Sequence, residues 1–152
     1  MGLSIIMGNM FSGKTSELIR RLKRLKVIGK EILVINSSKD TRSPDEVLKT
    51  HDNVKFDCFK TYDLFDVTDT LSFHDADIIA IDEAQFFPRL KKFVECCLYC
   101  EKSVIIAGLD APFICANKGS VLPPGFSRIY EAVSVKVLIE VNNTIILLES
   151  DL

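Results

Sequence analysis

The chain lacks any run of eighteen apolar residues in its 152 positions, so no segment reads as a bilayer-spanning helix. It also lacks a surplus of either charge. Nineteen basic residues stand against 21 acidic ones, and a net charge of −2 exerts no general pull toward nucleic acid or anionic membrane. Neither is expected as a partner. Cysteine is present, five times, but in odd number and irregular spacing, as in a reduced, cytoplasmic protein without a disulfide framework. Cys97-x-x-Cys100 is half of a tetrahedral zinc set with no second pair, so no zinc site is expected. Cys96, Cys97 and Cys100 read instead as buried residues of one helix. Met1-Gly2 resembles a myristoylation start, but Ile6 stands where the signal requires Ser or Thr. The first residues run straight into an apolar strand and read as structure, not as a targeting signal. Internal repeats and low-complexity segments are absent as well.

What is present starts with Gly8-Asn9-Met10-Phe11-Ser12-Gly13-Lys14-Thr15, which fits G-x-x-x-x-G-K-[ST]. The apolar run Leu3 to Met7 precedes it. A helical pattern from Ser16 follows, with Leu18, Leu22 and Leu25 on one side. Strand, glycine loop and helix form the arrangement that turns backbone N–H groups onto phosphate oxygens at a helix N-terminus. Lys14 then supplies a point charge to the outer phosphates, and the Thr15 hydroxyl a ligand for Mg²⁺. A glycine-rich turn with a solvated lysine is the plainer alternative. The basic run from Arg20 to Lys30 reads as the solvated face of the helix, and Gly29 as its stop.

Glu31 to Ile35 predicts a second buried strand, followed by a polar loop from Asn36 to Asn53. That loop leaves the carboxyl end of a strand, where open α/β sheets bind ligands. Asp40 and Arg42 are therefore candidate metal and phosphate contacts, with an ordinary charged loop as the competing reading. Val54 to Phe59 predicts a short strand and Tyr62 to Leu71 a weak helix. Asp77 to Glu83 (DIIAIDE) reads more clearly, as a strand ending in a carboxylate pair: Asp82 on the metal side, Glu83 beside whatever attacks the γ-phosphate. Water as attacker makes an ATPase and a substrate hydroxyl makes a kinase; the pair does not distinguish them. Pro88 is expected in the first turn of a helix whose core stripe is Leu90, Phe93, Val94, Cys97 and Leu98. Ser103 to Ala107 predicts another buried strand, with a loop from Gly108 to Phe113 at its end and a loop-like stretch from Ile114 to Arg128. Ser134 to Val141 and Thr144 to Leu148 predict two strands joined by a turn at Asn142-Asn143.

Four blocks occur in order: GNMFSGKTSELIRRLKR, KDTR…THD, IDEAQFF and AGLDAPF. Together they resemble the type II thymidine kinases, the cellular and large-DNA-virus family with a RecA-like P-loop core, over roughly residues 3 to 113. The resemblance implies an α/β P-loop NTPase fold, a mostly parallel sheet flanked by helices. Residues 1–133 would form the kinase core, and residues 134–152 a short strand or hairpin, the remnant of a lid. It implies transfer of the ATP γ-phosphate to the 5′-hydroxyl of thymidine, with deoxyuridine as another acceptor, using Mg²⁺, in deoxynucleotide salvage for DNA synthesis. By the same resemblance Lys14 and the loop from Gly8 to Thr15 hold the phosphates, Thr15 and Asp82 the metal, and Asp40 supports its shell. Glu83 is the general base and Arg42 neutralises the transferring group. Met10, Phe86, Leu109 and Phe113 enclose the thymine ring, and the assembly is a homotetramer.

The departures are specific. Asn9 replaces a usual Pro. Ala111-Pro112-Phe113-Ile114-Cys115 replaces Gly-Thr-Phe-Gln-Arg, and both C-x-x-C pairs of the family's zinc lobe are missing. Two further readings follow from them: an ATP-binding relative with weak or lost nucleoside turnover, and a RecA-like ATPase.

Overall fold

In the computed structural model, the described residues are 2–8, 13–40, 47–49, 55–109, 140–142 and 145–150. A seven-stranded sheet forms the centre. Its strands are β1 (Leu3–Gly8), β2 (Ile32–Ser37), β5 (Phe59–Thr61), β6 (Ile78–Ile81), β7 (Ser103–Leu109), β8 (Glu140–Asn142) and β9 (Ile145–Ser150). Their order across the sheet is β5-β2-β6-β7-β1-β9-β8. The first five of that order pair in parallel, so their carboxyl ends share one edge. β9 and β8 are antiparallel additions beyond β1.

Period-two alternation divides the apolar strand residues between two cores. Ile6, Val34, Ile78, Ala80, Ile105 and Ala107 face α1 (Lys14–Val27), which contributes Leu18, Ile19 and Leu22. Ile5, Ile35, Ile79, Ile81, Val104 and Ile106 face the opposite layer, where α3 (Leu90–Tyr99) contributes Leu90, Phe93, Val94 and Cys97. Near-continuous apolar strands are what a parallel sheet covered on both faces requires. Gly29 does stop α1. It adopts φ 82°, Gly29 N donates to Lys26 O at 3.0 Å and Lys30 N to Leu25 O at 3.1 Å, which is the Schellman pattern. The basic face of α1 is solvated: Arg20, Lys23, Arg24 and Lys26 are exposed. Glu17 takes both Arg20 and Arg21, at 2.6 and 2.9 Å.

Several local expectations are corrected. The polar segment after β2 contains β3 (Val47–Lys49), paired antiparallel with β4 (Lys55–Asp57) in a separate two-stranded sheet. The single strand expected up to Phe59 is therefore two, β4 and β5. Buried Cys58 lies at the break, where the chain passes from the small sheet to the large one. Tyr62 to Leu71 is not one helix but a 3₁₀ turn at Leu64–Val67, followed by the short α2 (Leu71–Asp75). Local caps separate them. Asp63 accepts from Phe65 N at 3.0 Å and Thr70 Oγ1 from Phe73 N at 3.2 Å, so each side chain starts its own turn. Pro88 lies outside α3, whose cap is Arg89. Of the three cysteines there, Cys97 is buried, Cys96 half-buried and Cys100 exposed. β7 extends through Gly108 and Leu109 because its pairing with β1 continues that far. Asn142 pairs with Ile145 and so belongs to β8, not to a turn as expected. Residues 134–139 lie outside the described residues.

Candidate functional site

The shared carboxyl edge of the parallel strands collects the residues singled out above. β1 ends at Gly8. Gly13 caps α1 in the left-handed conformation, φ 83° and ψ 21°. Only glycine adopts that geometry freely, so the backbone itself accounts for glycine at this position. Glu17 N makes the first intrahelical bond, to Gly13 O at 2.9 Å. Helical geometry therefore aims the N–H groups of the preceding turn out of the helix end, the direction from which an anion is bound. Lys14, the first residue of α1, is buried at that end.

β6 delivers the carboxylates. Asp82 and Glu83 follow its last residue and are only 3% and 5% exposed. Asp82 N donates to Ile35 O at 2.8 Å, which fixes the backbone to β2 just past the end of β6. Thr15 Oγ1 donates to Asp82 Oδ2 at 3.3 Å and joins the start of α1 to the end of β6. Burial and then the charge of Glu83 push the Asp82 carboxyl up to about 7, with Asp40 acting in the same direction. The Glu83 backbone N–H and the Thr15 hydroxyl oppose the rise by bonding the carboxylate. Asp40 is buried beyond the end of β2, where Asn36 Nδ2 donates to its Oδ2 at 3.2 Å.

Glu83 is itself in a left-handed conformation, φ 51° and ψ 43°, uncommon for a residue with a side chain. It leads into a 3₁₀ turn, Ala84–Phe86, on which Gln85 is buried and Phe86 half-buried. Gln85 Nε2 donates back to Glu83 Oε2 at 2.5 Å.

The structure thus brings Thr15 against Asp82 and sets Asp40 and Glu83 close enough for their charges to act on it, with Lys14 at the adjacent helix end. Asn9, Met10, Phe11, Ser12, Arg42 and Phe113 lie outside the described residues, and Leu109 is described only as the last residue of β7. Two contributors were not singled out from the sequence. Asn36 is fully buried and holds Asp40 while its Oδ1 accepts Ser37 N at 2.8 Å; Gln85 holds Glu83. A polar residue ending the apolar run EILVI was the available signal for Asn36. Gln85 had none beyond its nearness to the carboxylate pair.

Among the described residues, the candidate donors at this edge are oxygens: the Thr15 hydroxyl and the buried Asp82 carboxylate it bonds, with the Asp40 and Glu83 carboxylates near enough to act on Asp82. That set fits a hard divalent cation that takes one or two protein ligands and completes its shell with phosphate and water. Among the described residues no group of three or more His, Cys, Asp or Glu side chains is arranged to hold a metal alone. None of the described helices is long and apolar enough to cross a membrane.

Comparison with known proteins resolves what this edge belongs to. Residues 1–121 match the family described as Thymidine kinase. The chain belongs to the thymidine kinase family. It is 40% identical over 124 residues to Thymidine kinase a of Arabidopsis thaliana, covering 78% of this chain and 51% of that protein. It is 44% identical over 115 residues to Thymidine kinase 1 of Dictyostelium discoideum, covering 73% and 50% respectively. It is 40% identical over 111 residues to the Thymidine kinase of Myxoma virus (strain Uriarra), covering 73% and 61%. The chain therefore spans about half the length of the plant and amoebal relatives it matches. Membership in the thymidine kinase family accords with the parallel sheet and with the carboxylates gathered at the phosphate-loop edge.

Proposed function

We propose that the protein is an ATP-dependent thymidine kinase that transfers the γ-phosphate of ATP to the 5′-hydroxyl of thymidine or deoxyuridine. The observation that carries this reading is the bond from Thr15 to Asp82, because it sets the phosphate-loop helix beside the carboxylate strand. Lys14 and the N–H groups at the start of α1 bind the phosphates. Thr15 and Asp82 hold Mg²⁺, with Asp40 supporting its shell. The ion, when bound, neutralises charge that develops on the transferring group. Glu83 accepts the proton of the attacking hydroxyl, and Arg42 offsets charge on the phosphoryl group. Met10, Phe86, Leu109 and Phe113 form the walls around the base. Phosphoryl transfer is chiefly positioning and charge stabilisation, and a buried edge with fixed polar partners supplies both.

A hydroxyl rather than water is assigned as the attacker because the chain belongs to a family of nucleoside kinases. Residues 1–133 form the kinase core in this reading, and 134–152 extend it through the hairpin that pairs with β1. A homotetramer in the cytoplasm, acting in deoxynucleotide salvage, completes the proposal. The test is ADP release with Mg²⁺-ATP, alone and with thymidine, deoxyuridine or deoxycytidine. Thymidine-dependent ADP and a phosphorylated nucleoside are expected. ADP release that ignores every nucleoside would replace the kinase with an ATPase, and ATP binding without any ADP would replace it with a binding protein.

A further inference from the structure

Glu83 carries three side-chain torsions, and a carboxylate at the end of such a chain has many directions open to it. Here its backbone is held in the left-handed region, while its Oε2 accepts from Gln85 Nε2 at 2.5 Å. Both side chains are buried, Glu83 at 5% and Gln85 at 8% exposure. The turn that joins them is closed by Phe86 N donating to Glu83 O and Phe87 N to Ala84 O, each at 3.1 Å. It is anchored upstream by the bond of Asp82 N to Ile35 O. The amide of Gln85 is thus presented to Glu83 from a short turn with both ends fixed.

We infer that Gln85 is a positioning residue for Glu83: its amide sets the direction of the carboxylate without cancelling the carboxylate's charge. The chemistry of position 85 supports a neutral donor. A lysine there would pair with Glu83 and weaken it as a proton acceptor. A glutamate would add one more carboxylate to a region that already gathers Asp40, Asp82 and Glu83. An amide donates a hydrogen bond and adds no net charge. The same turn ends at Phe86, so one local structure carries both residues.

This inference rests on Glu83 being the proton acceptor, and the experiment separates the two ideas. Steady-state kinetics with Mg²⁺-ATP and thymidine are compared for the wild-type chain, Gln85→Met, Gln85→Glu and Glu83→Gln. Gln85→Met retains bulk and loses the donor. It is expected to lower kcat by about tenfold to a hundredfold, the scale of a small misplacement of a reacting group. KM for ATP should move by less than about twofold, because ATP binding does not pass through position 85. A residue that merely supports the fold would reduce the amount of folded enzyme and leave kcat per folded molecule unchanged; that result overturns the inference. If Gln85→Met does not fold, Gln85→Glu, which keeps the shape, carries the same expectation. Wild-type protein without thymidine-dependent turnover would overturn the kinase reading. Crystal structures of wild type and Gln85→Met then decide the positioning role without catalysis. A carboxylate of Glu83 swung to a new direction in the variant upholds it, and one that keeps its direction refutes it.

Discussion

Thr15 and Asp82 lie 67 positions apart and share a hydrogen bond of 3.3 Å, from the hydroxyl at the start of α1 to the carboxylate that follows β6. The bond ties the helix covering one sheet face to the strand that carries the acidic residues. It also puts two oxygen donors side by side in a region too buried to support an isolated charge cheaply. Burial and the neighbouring carboxylates accordingly push the Asp82 carboxyl up to about 7.

The first prediction concerns pH. Asp82 has its folded-state value raised to about 7 from 3.8. Its contribution to stability is therefore complete below about pH 4 and lost as pH rises through about 7. Mg²⁺-nucleotide must displace that proton, so binding should release a proton below pH 7 and little above it. Calorimetry in buffers of different ionisation enthalpy measures the release. Asp82→Asn should abolish it, and proton release unchanged in that variant would remove Asp82 from the cation site.

Lys14 and Glu83 should fail in different ways. Lys14→Ala removes a charged donor at the helix end and should weaken ATP binding by about 1.5–3 kcal/mol. Glu83→Gln should preserve binding yet slow the chemical step by about two to four orders of magnitude. Isothermal titration and single-turnover mixing distinguish the two. Equal losses of affinity in both variants would contradict the division of roles.

Backbone strain at Glu83 makes a third prediction. A left-handed residue with a Cβ is disfavoured by about 1–2 kcal/mol, and glycine escapes that penalty. Glu83→Gly should accordingly be more stable than Glu83→Ala by roughly 1 kcal/mol after allowance for glycine's greater unfolded-state freedom. Urea unfolding of the two variants measures the difference. An alanine variant as stable as the glycine one would show that the conformation carries no strain.

Asn36 provides a fourth. Its side chain accepts from Ser37 N and donates to Asp40, with no exposure to solvent. Asn36→Leu leaves the Ser37 N–H and an Asp40 oxygen without these partners and should destabilise the fold by about 1–3 kcal/mol. Thermal unfolding reads the loss. A change near zero would mean that water replaces both bonds.

The fifth concerns zinc. Cys96, Cys97 and Cys100 share one helix end, and burial together with the neighbouring thiols raises Cys97 to about 12, far from the thiolate a metal needs. Elemental analysis of the purified chain should find no stoichiometric zinc. One zinc per chain would bring Cys58 and Cys115 into consideration as ligands.

Much of the fold was legible because its signals are local. β1, β2, β6 and β7 are apolar runs, and α1 and α3 carry repeating stripes; a parallel sheet covered on both faces demands such patterns. Gly29 was legible as a stop since a left-handed cap tolerates few other residues. The stretch from Tyr62 to Leu71 was misread for the opposite reason. Helical spacing persists there, but Asp63 and Thr70 bond nearby N–H groups and divide the segment. β4 and β5 look continuous in sequence because pairing partners are not written in a strand, and the break at Cys58 exists only through the two sheets on either side.

The sequence by itself determined the chemistry available: a phosphate loop closed by Gly13, Lys14 and Thr15, and a carboxylate pair at the end of an apolar strand. Spacing along the chain suffices for those, because each depends on neighbours within one turn or one strand. Tertiary structure alone decided which of these groups meet. The order β5-β2-β6-β7-β1 lays five strand ends along one edge, so that Asp40, Asp82 and Glu83 interact and Thr15 reaches Asp82. Their mutual burial and the raised value of Asp82 arise from that approach, whereas the grips of Asn36 on Asp40 and of Gln85 on Glu83 are local to their own segments. Coulomb energy and hydrogen bonding depend on distance through space, and no spacing along the chain encodes it.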